Sequence, residues 1–551
     1  MLSQNFHRRD AETQRFLRKL RKSKKNLLLF SLRLCVSAVL LVFISCSSKP
    51  TDLRSLAPAE SLVYLETNDL GKTLENLTQG KAFQQLAKQT PDFSVLKNIQ
   101  VAIAVTGFEA SENQVTAENS VLSFKPRFVA IADTHAWNWQ TLAFTEEKIG
   151  QFVAETLNSE VSLTKIEKSG GKLFTWTAQD ERKLFAFVQD SKIFFGNDEA
   201  AIEKCLAVSR GESDSFAKTG KTFERNEKTL AFGYVSSEGI AQISNVAGVS
   251  TAIDTTESEE GRGFIAGVLS QILKNSVKEI VWTATKTEQG IEDKFAVALK
   301  TETASILSQT LVTTQNTQTV FAEFVPTDVF SVTRYNLQNP LISWRSLLLV
   351  ASKNTDELNA RILIQNSNSL LQSYEVADAE TFLSAVDNEI LTVNFDAEGE
   401  KSVVIVGVKD AEKLKKSIAE INFKTKAEMN FNAEIWRTED KLTIAAFVEN
   451  RLILGEAESV LKCLQAKQNG QNFTKNPSFK FFNESKTVAV TSGSEIDSAE
   501  KIVEVLAELK DKNARITTHY LTETRYNEKG FERKIVSDFG LIGDIIERFN
   551  E

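Results

Sequence analysis

Histidine is nearly missing from this chain of 551 residues: there are three, and only His135 and His519 lie beyond residue 45. A zinc site or a Ser-His-Asp triad needs a histidine with partners at fixed spacing, and neither residue has them. His135, in "ADTHAWNWQ", falls between a strand and a helix and reads as a capping or loop residue. His519, in the strand "ITTHYLT", reads as packing. Proline is scarce too, at 7 residues, whereas Phe reaches 36 and Thr and Val recur in alternating runs, a balance that favours strands. A complete phosphate loop is also lacking. "TGKT" (219–222) would need a glycine five residues before Gly220, where Ser215 stands. "GRGFIAG" (261–267) follows an acidic run rather than a strand and reads as a solvated loop, its spacing wrong for calcium. No cofactor and no metal are expected.

Positive charge is absent from most of the chain because it is gathered at one end. Residues 8–33 hold ten Lys/Arg and two acids. Taking these from the totals of 65 and 73 leaves 55 bases against 71 acids beyond residue 45, a net −16. Such a surface argues against nucleic acid as a partner and against a polybasic hold on anionic lipid. An apolar stretch, "LCVSAVLLVFIS", follows from Leu34 to Ser45 and ends at Cys46. A basic region, a short apolar run and a small residue before the break make a secretory signal. Its 12 residues fall short of the ~20 that a membrane span wants. Counting from Leu27 gives 19, with Arg33 inside, so an uncleaved anchor helix is the alternative.

"VFISC" resembles the lipobox of bacterial lipoproteins, in which a small residue precedes a Cys that is diacylated and becomes the mature N-terminus. Ser45 and Cys46 fit, Ile44 is acceptable, and Phe43 stands where Leu is usual. The resemblance implies lipid attachment at Cys46, with Ser47 after it favouring an outer over an inner membrane. A diacylated, N-acylated cysteine would hold the chain without further help.

Beyond the signal, the chain writes one text twice. "DSKIFFGNDEAAIEKCL" (190–206) stands beside "ENRLILGEAESVLKCL" (449–464). The letters match Trp176 to Trp436, Phe187-Val188 to Phe447-Val448, and Gly196 to Gly455. The leading segments "APAESLVYLETNDL" and "VPTDVFSVTRYNL" pair as well, as do the closing hairpins. Matched segments in one order predict an internal duplication, with a period far beyond the 20 to 50 residues of solenoids. The divisions are a signal at 1–45, a tether at 46–57, a first domain at 58–310, a linker at 311–325 and a second domain at 326–551. The letters put a length difference in the turn before each glycine, and about twenty extra residues after Pro340.

Within each half, short strands joined by tight turns alternate with helices, which predicts an α+β fold: an antiparallel sheet with helices on one face. In the helices after Gly196 and Gly455, Ile202, Cys205 and Leu206, and Val460, Cys463 and Leu464, fall at i, i+3 and i+4, one core-facing stripe. Trp176 and Trp436 read as a shared core position. Trp137 and Trp139 have no twin and are candidates for a contact surface. "LAPAESLVYLETNDL" and the layout resemble uncharacterised bacterial envelope proteins, which implies no activity. The expectation is a membrane-tethered envelope lipoprotein, not an enzyme, that binds or scaffolds, with room for a protein or peptide partner. A carrier or chaperone for an apolar ligand is the alternative, and a carboxylate-based hydrolase the third reading.

Overall fold

The structure is a computed structural model that describes residues 51–548, apart from 115–119, 222–225, 227, 246–258, 315–319, 419–426, 497 and 512. It is α+β. The first half carries β1 (Val63–Thr67), β2 (Gln100–Gln114), β3 (Ser120–Asp133), β4 (Val161–Lys168), β5 (Gly171–Ala178), β6 (Lys183–Gln189), β7 (Lys192–Gly196), β8 (Thr229–Val235), β9 (Val277–Thr287) and β10 (Gly290–Leu299). The second carries β11 (Ser331–Asn336), β12 (Val386–Asn394), β13 (Ser402–Val408), β14 (Glu428–Asn430), β15 (Ala433–Arg437), β16 (Thr443–Val448), β17 (Arg451–Glu456), β18 (Ala489–Ile496), β19 (Thr517–Asn527) and β20 (Gly530–Ser537).

All the pairings are antiparallel, and they lay the strands side by side as 4-5-6-7-3-2-1-8-9-10 and then 20-19-18-11-12-13-17-16-15-14. The second list is the first reversed, each strand number raised by ten. The halves therefore share one continuous sheet, joined where β10 pairs β20, from Ile291 opposite Ser537 to Ala298 opposite Gly530. Nothing in the sequence pattern announced that seam.

Register fixes which residues correspond. Gly196 faces Val129 and Phe185, and Gly455 faces Val403 and Ile444, so the two glycines hold one position. From that pin, Trp436 corresponds to Phe174, because Phe174 faces Ala186 as Trp436 faces Ala445. Trp176 lies two residues further along the same strand. Matching the letters therefore slips by two on this strand and by one on the next, where Val188 corresponds to Phe447. A slip of two keeps a side chain on its face and a slip of one reverses it. Both β6–β7 and β16–β17 turns have two central residues, Asp190-Ser191 and Glu449-Asn450, so the expected difference in turn length is absent.

Helices cover both faces of the sheet, not one. On the first face, the helix Glu199–Ser209 sets Ile202, Cys205 and Leu206 against Tyr64, Ala104, Ile131 and Phe194. The helix Ala457–Asn469 sets Val460, Cys463 and Leu464 against Val332, Val393, Ile405 and Ile453. On the other face, Val153 and Leu157 of the helix Gly150–Leu157 pack on Phe174, Trp176 and Ala186. Leu414 and Phe382 likewise pack on Val404, Val406 and Leu454. Neighbouring residues of one strand thus enter opposite cores, which is why "SVVIVGV" reads as an unbroken apolar run. The extra residues after Pro340 form the helices Pro340–Lys353 and Glu357–Gln365. "GRGFIAG" lies within the helix Glu259–Ser276 and is not a loop.

Candidate functional site

The most elaborate polar cluster lies where β3 ends. Asp133, its last residue, is 2% exposed. It accepts hydrogen bonds from Thr51 Oγ1 at 2.6 Å, Ser191 Oγ at 2.8 Å and the His135 backbone N–H at 3.1 Å. Gln100, directly across the ladder and also buried, accepts from Thr51 N at 2.8 Å and donates to Thr51 O at 2.8 Å. The two-residue turn with Asp190 at φ 54° delivers Ser191 to this corner, and Ser191 O in turn accepts from Thr134 N and Oγ1. Burial works against the Asp133 charge, yet the bonds from Thr51, Ser191 and His135 outweigh it and hold the carboxyl below its ordinary range. Thr51, the first described residue, is therefore gripped by both its backbone and its side chain.

Asp133, His135 and Ser191 are the residue types of a nucleophilic triad, and His135 Nδ1 lies 3.4 Å from Asp133 Oδ1. The arrangement is nonetheless wrong for catalysis. The Ser191 hydroxyl gives its single proton to the carboxylate, whereas activation requires it on the imidazole. The corresponding corner of the second half is built differently, from two phenylalanines with Arg451 and Asp387 beside them. Gly407 replaces Asp133, a Cβ there would meet the Phe321 ring at 3.2 Å, and Arg451 stacks on Phe321 and Phe324. The polar grip belongs only to the end of the sheet where the chain comes in from Cys46, a residue outside the described ones.

Beside this corner stand Trp137 and Trp139, 65% and 66% exposed. Trp137 occupies the N-cap of the helix Asn138–Phe144, where Ser, Thr, Asp or Asn is preferred because the side chain must accept a bond. An indole can only donate. Gln140 compensates in part, its Oε1 accepting from Trp137 N at 3.1 Å. His135 adopts φ 52°, a left-handed conformation uncommon outside glycine. A cavity of about 90 Å³ opens between the 94–99 segment and Thr134 and His135, room for a few waters rather than a ligand.

A second group of carboxyls gathers near the seam. Asp293, 2% exposed, accepts from Trp282 Nε1 at 2.7 Å and from Leu541 N at 2.8 Å. Burial raises its pKa to about 6, against the pull of those two bonds. Burial likewise raises Glu495, Asp538 and Asp544. Convergent acids with raised pKa values are what a carboxylate hydrolase would use. Each Asp293 oxygen is already engaged by an N–H from the protein, which ill suits a group that must meet substrate. Gly540, at φ 59°, makes the contact with Leu541 feasible, since a Cβ there would lie 2.7 Å from Asp293 Oδ2.

The remaining candidates have plain structural places. His519 is exposed on β19, its Nδ1 3.2 Å from Ser494 Oγ, so it does not pack as expected; Thr522, buried, holds the place corresponding to Trp282. Lys221 of "TGKT" pairs with Glu279 at 2.6 Å, and Thr222 lies outside the described residues. Cys205 and Cys463 are buried free thiols. Among the described residues, no group of three or more His, Cys, Asp or Glu is placed to hold a metal, and no helix is long and apolar enough to cross a membrane. Neither a family model, nor a curated protein, nor a solved structure matches this chain.

Proposed function

We propose that this chain is a membrane-tethered envelope lipoprotein, lipidated at Cys46, whose body is a rigid binding or scaffolding platform and not an enzyme. The observation that carries the reading is the grip on Thr51. Five residues after Cys46, two buried side chains of the sheet fix both the backbone and the hydroxyl of the incoming chain. A tether that pulls on a protein needs such a fixed point, and a flexible leader does not. The platform is an internal duplication. The repeated strand order and the shared Gly196 and Gly455 positions support this, and the duplicated sheets continue one another through β10 and β20. A carrier of apolar ligands would want an apolar cavity, whereas one depression among the described residues, about 660 Å³, is open and lined by Glu60, Glu212, Ser213 and Asp214.

Cys46→Ala tests the tether. The substitution is expected to abolish labelling by fatty acid, to leave the signal uncleaved and to retard the chain on a gel. Unchanged mobility and unchanged labelling would replace the lipid anchor with an uncleaved anchor helix.

A further inference from the structure

The proposed tether is short, and that constrains what lies beside it. From Cys46 to Thr51 there are five residue steps, at most ~18 Å when fully extended. Thr51 is bonded to Asp133, and Trp137 follows Asp133 by four steps, at most ~14 Å. Any membrane that holds Cys46 is therefore held close to the corner that bears the two indoles. Their neighbourhood is also unusual in charge. From Thr134 to Phe144 the chain contains no Asp, Glu, Lys or Arg, although 25% of all residues are charged and the mature part carries −16. An anionic body repels anionic headgroups, so the uncharged Thr134–Phe144 segment that bears both indoles is the part of this corner that can approach a bilayer at little electrostatic cost.

The local chemistry points the same way. An indole at an N-cap gives up a capping bond of about 1 kcal/mol, and two indoles left in water give up burial. Conflicts of this kind mark places kept for something other than stability. Tryptophan, with an apolar ring and one N–H donor, is the side chain that favours the water–membrane interface.

We propose that Trp137 and Trp139 form an interfacial foot: both indoles seat in the headgroup region of the leaflet that holds the Cys46 acyl chains, and so set the orientation of the sheet over the membrane. The proposal rests on the tether reading. With the anchor and the foot on one chain, insertion is intramolecular, and two indoles too weak to recruit a protein suffice to orient it.

The test uses the full chain, extracted from membranes with its native N-terminus and reconstituted into phosphatidylcholine vesicles with or without bromine on the upper acyl carbons. The wild type should float with the vesicles. Bromine should remove up to about a third of its emission, since two of six Trp reach the quencher. Trp137→Phe/Trp139→Phe should float equally and lose almost none. Protection of Cys205 and Cys463 from thiol reagents verifies that the variant is folded. Flotation without quenching, or equal quenching in the double variant, would overturn the foot and leave the tether standing. Failure of the wild type to float would overturn both. Indoles shielded from iodide only when other envelope proteins are added would assign the corner to a protein partner and also overturn the foot.

Discussion

Asp293 offers a quantitative test of how the two halves are sealed together. The residue belongs to β10, at the seam itself, opposite Ile535 of β20, and its carboxyl reaches the last helix through Leu541 N. Burial lifts its pKa from an ordinary 3.8 to about 6, with Asp544 and Glu292 adding to the rise. The sign follows from proton counting. Between these two values the folded state holds a proton that the unfolded state has released, so stability falls as pH rises through the window. The lift from 3.8 to about 6 corresponds to about 3 kcal/mol between pH 3.5 and pH 7. Asp293→Asn removes the titration. It also sets an amide NH₂ against one of the two N–H donors, a cost that does not vary with pH. The measurement is the difference in unfolding free energy between wild type and variant, from urea denaturation at half-unit steps. Glu495 and Asp538 titrate alike in both proteins and cancel, whereas Asp544, which interacts with Asp293, shifts with it and is part of the same difference. The difference should shift in favour of the variant by about 3 kcal/mol as pH rises from 3.5 to 7. Parallel curves would mean that Asp293 ionises freely, and the account of the seam would be wrong.

Three further outcomes follow from other sites. Asp133→Ala should cost about 3 kcal/mol, since it deprives buried donors of a charged acceptor, and should speed proteolysis between residues 51 and 57; unchanged cleavage there would refute the grip on Thr51. Because Asp133 is held below its ordinary range, the stability it supplies is complete above about pH 4 and lost as pH falls through its lower folded value, a trend opposite in sign to that of Asp293. The Cys205 thiol is pushed up to about 12 by burial and Cys463 is also raised by burial, so both should react with a thiol reagent at pH 8 only as fast as the protein unfolds, and labelling within seconds would contradict the packing. Gly196→Ala and Gly455→Ala would each place a Cβ 2.2 Å from a carbonyl oxygen of the facing strand, and each should destabilise by about 2–3 kcal/mol, with Gly455→Ala the worse because its φ is 153°; a tolerated alanine at either would undo the shared register.

What could be read from the letters was local, and what could not was held together from afar. The helices after Gly196 and Gly455 were legible because cap, dipole and apolar stripe are written within ten residues, with Asp198 accepting from Ala200 N as the pattern asks. The exposure of Trp137 and Trp139 was legible because no matching segment gives them a shared core position. Pairing Trp176 with Trp436 failed because identical letters outweighed spacing, while the fold counts residues along a ladder pinned by glycine. Helices on one face are what alternating strands imply; strands buried on both sides have no alternation to show. "GRGFIAG" reads as a loop because it stands behind an acidic run and follows no strand, yet it is helical, and glycine within a helix is tolerated at about 1 kcal/mol each. The Asp133 corner was out of reach for a different reason. It joins residues 51, 100, 133 and 191, none of them in a motif, and each a commonplace polar residue until the sheet brings them together. Its single sequence mark is a difference between otherwise matched positions: Asp133 where the other half has Gly407, and Thr51 leading in where the other half brings Phe321 to the corner. In a sheet whose two halves repeat one strand order, the departures between matched positions are therefore where function is to be sought. The most consequential departure here gathers a grip, a left-handed histidine and two exposed indoles at the corner that holds Thr51.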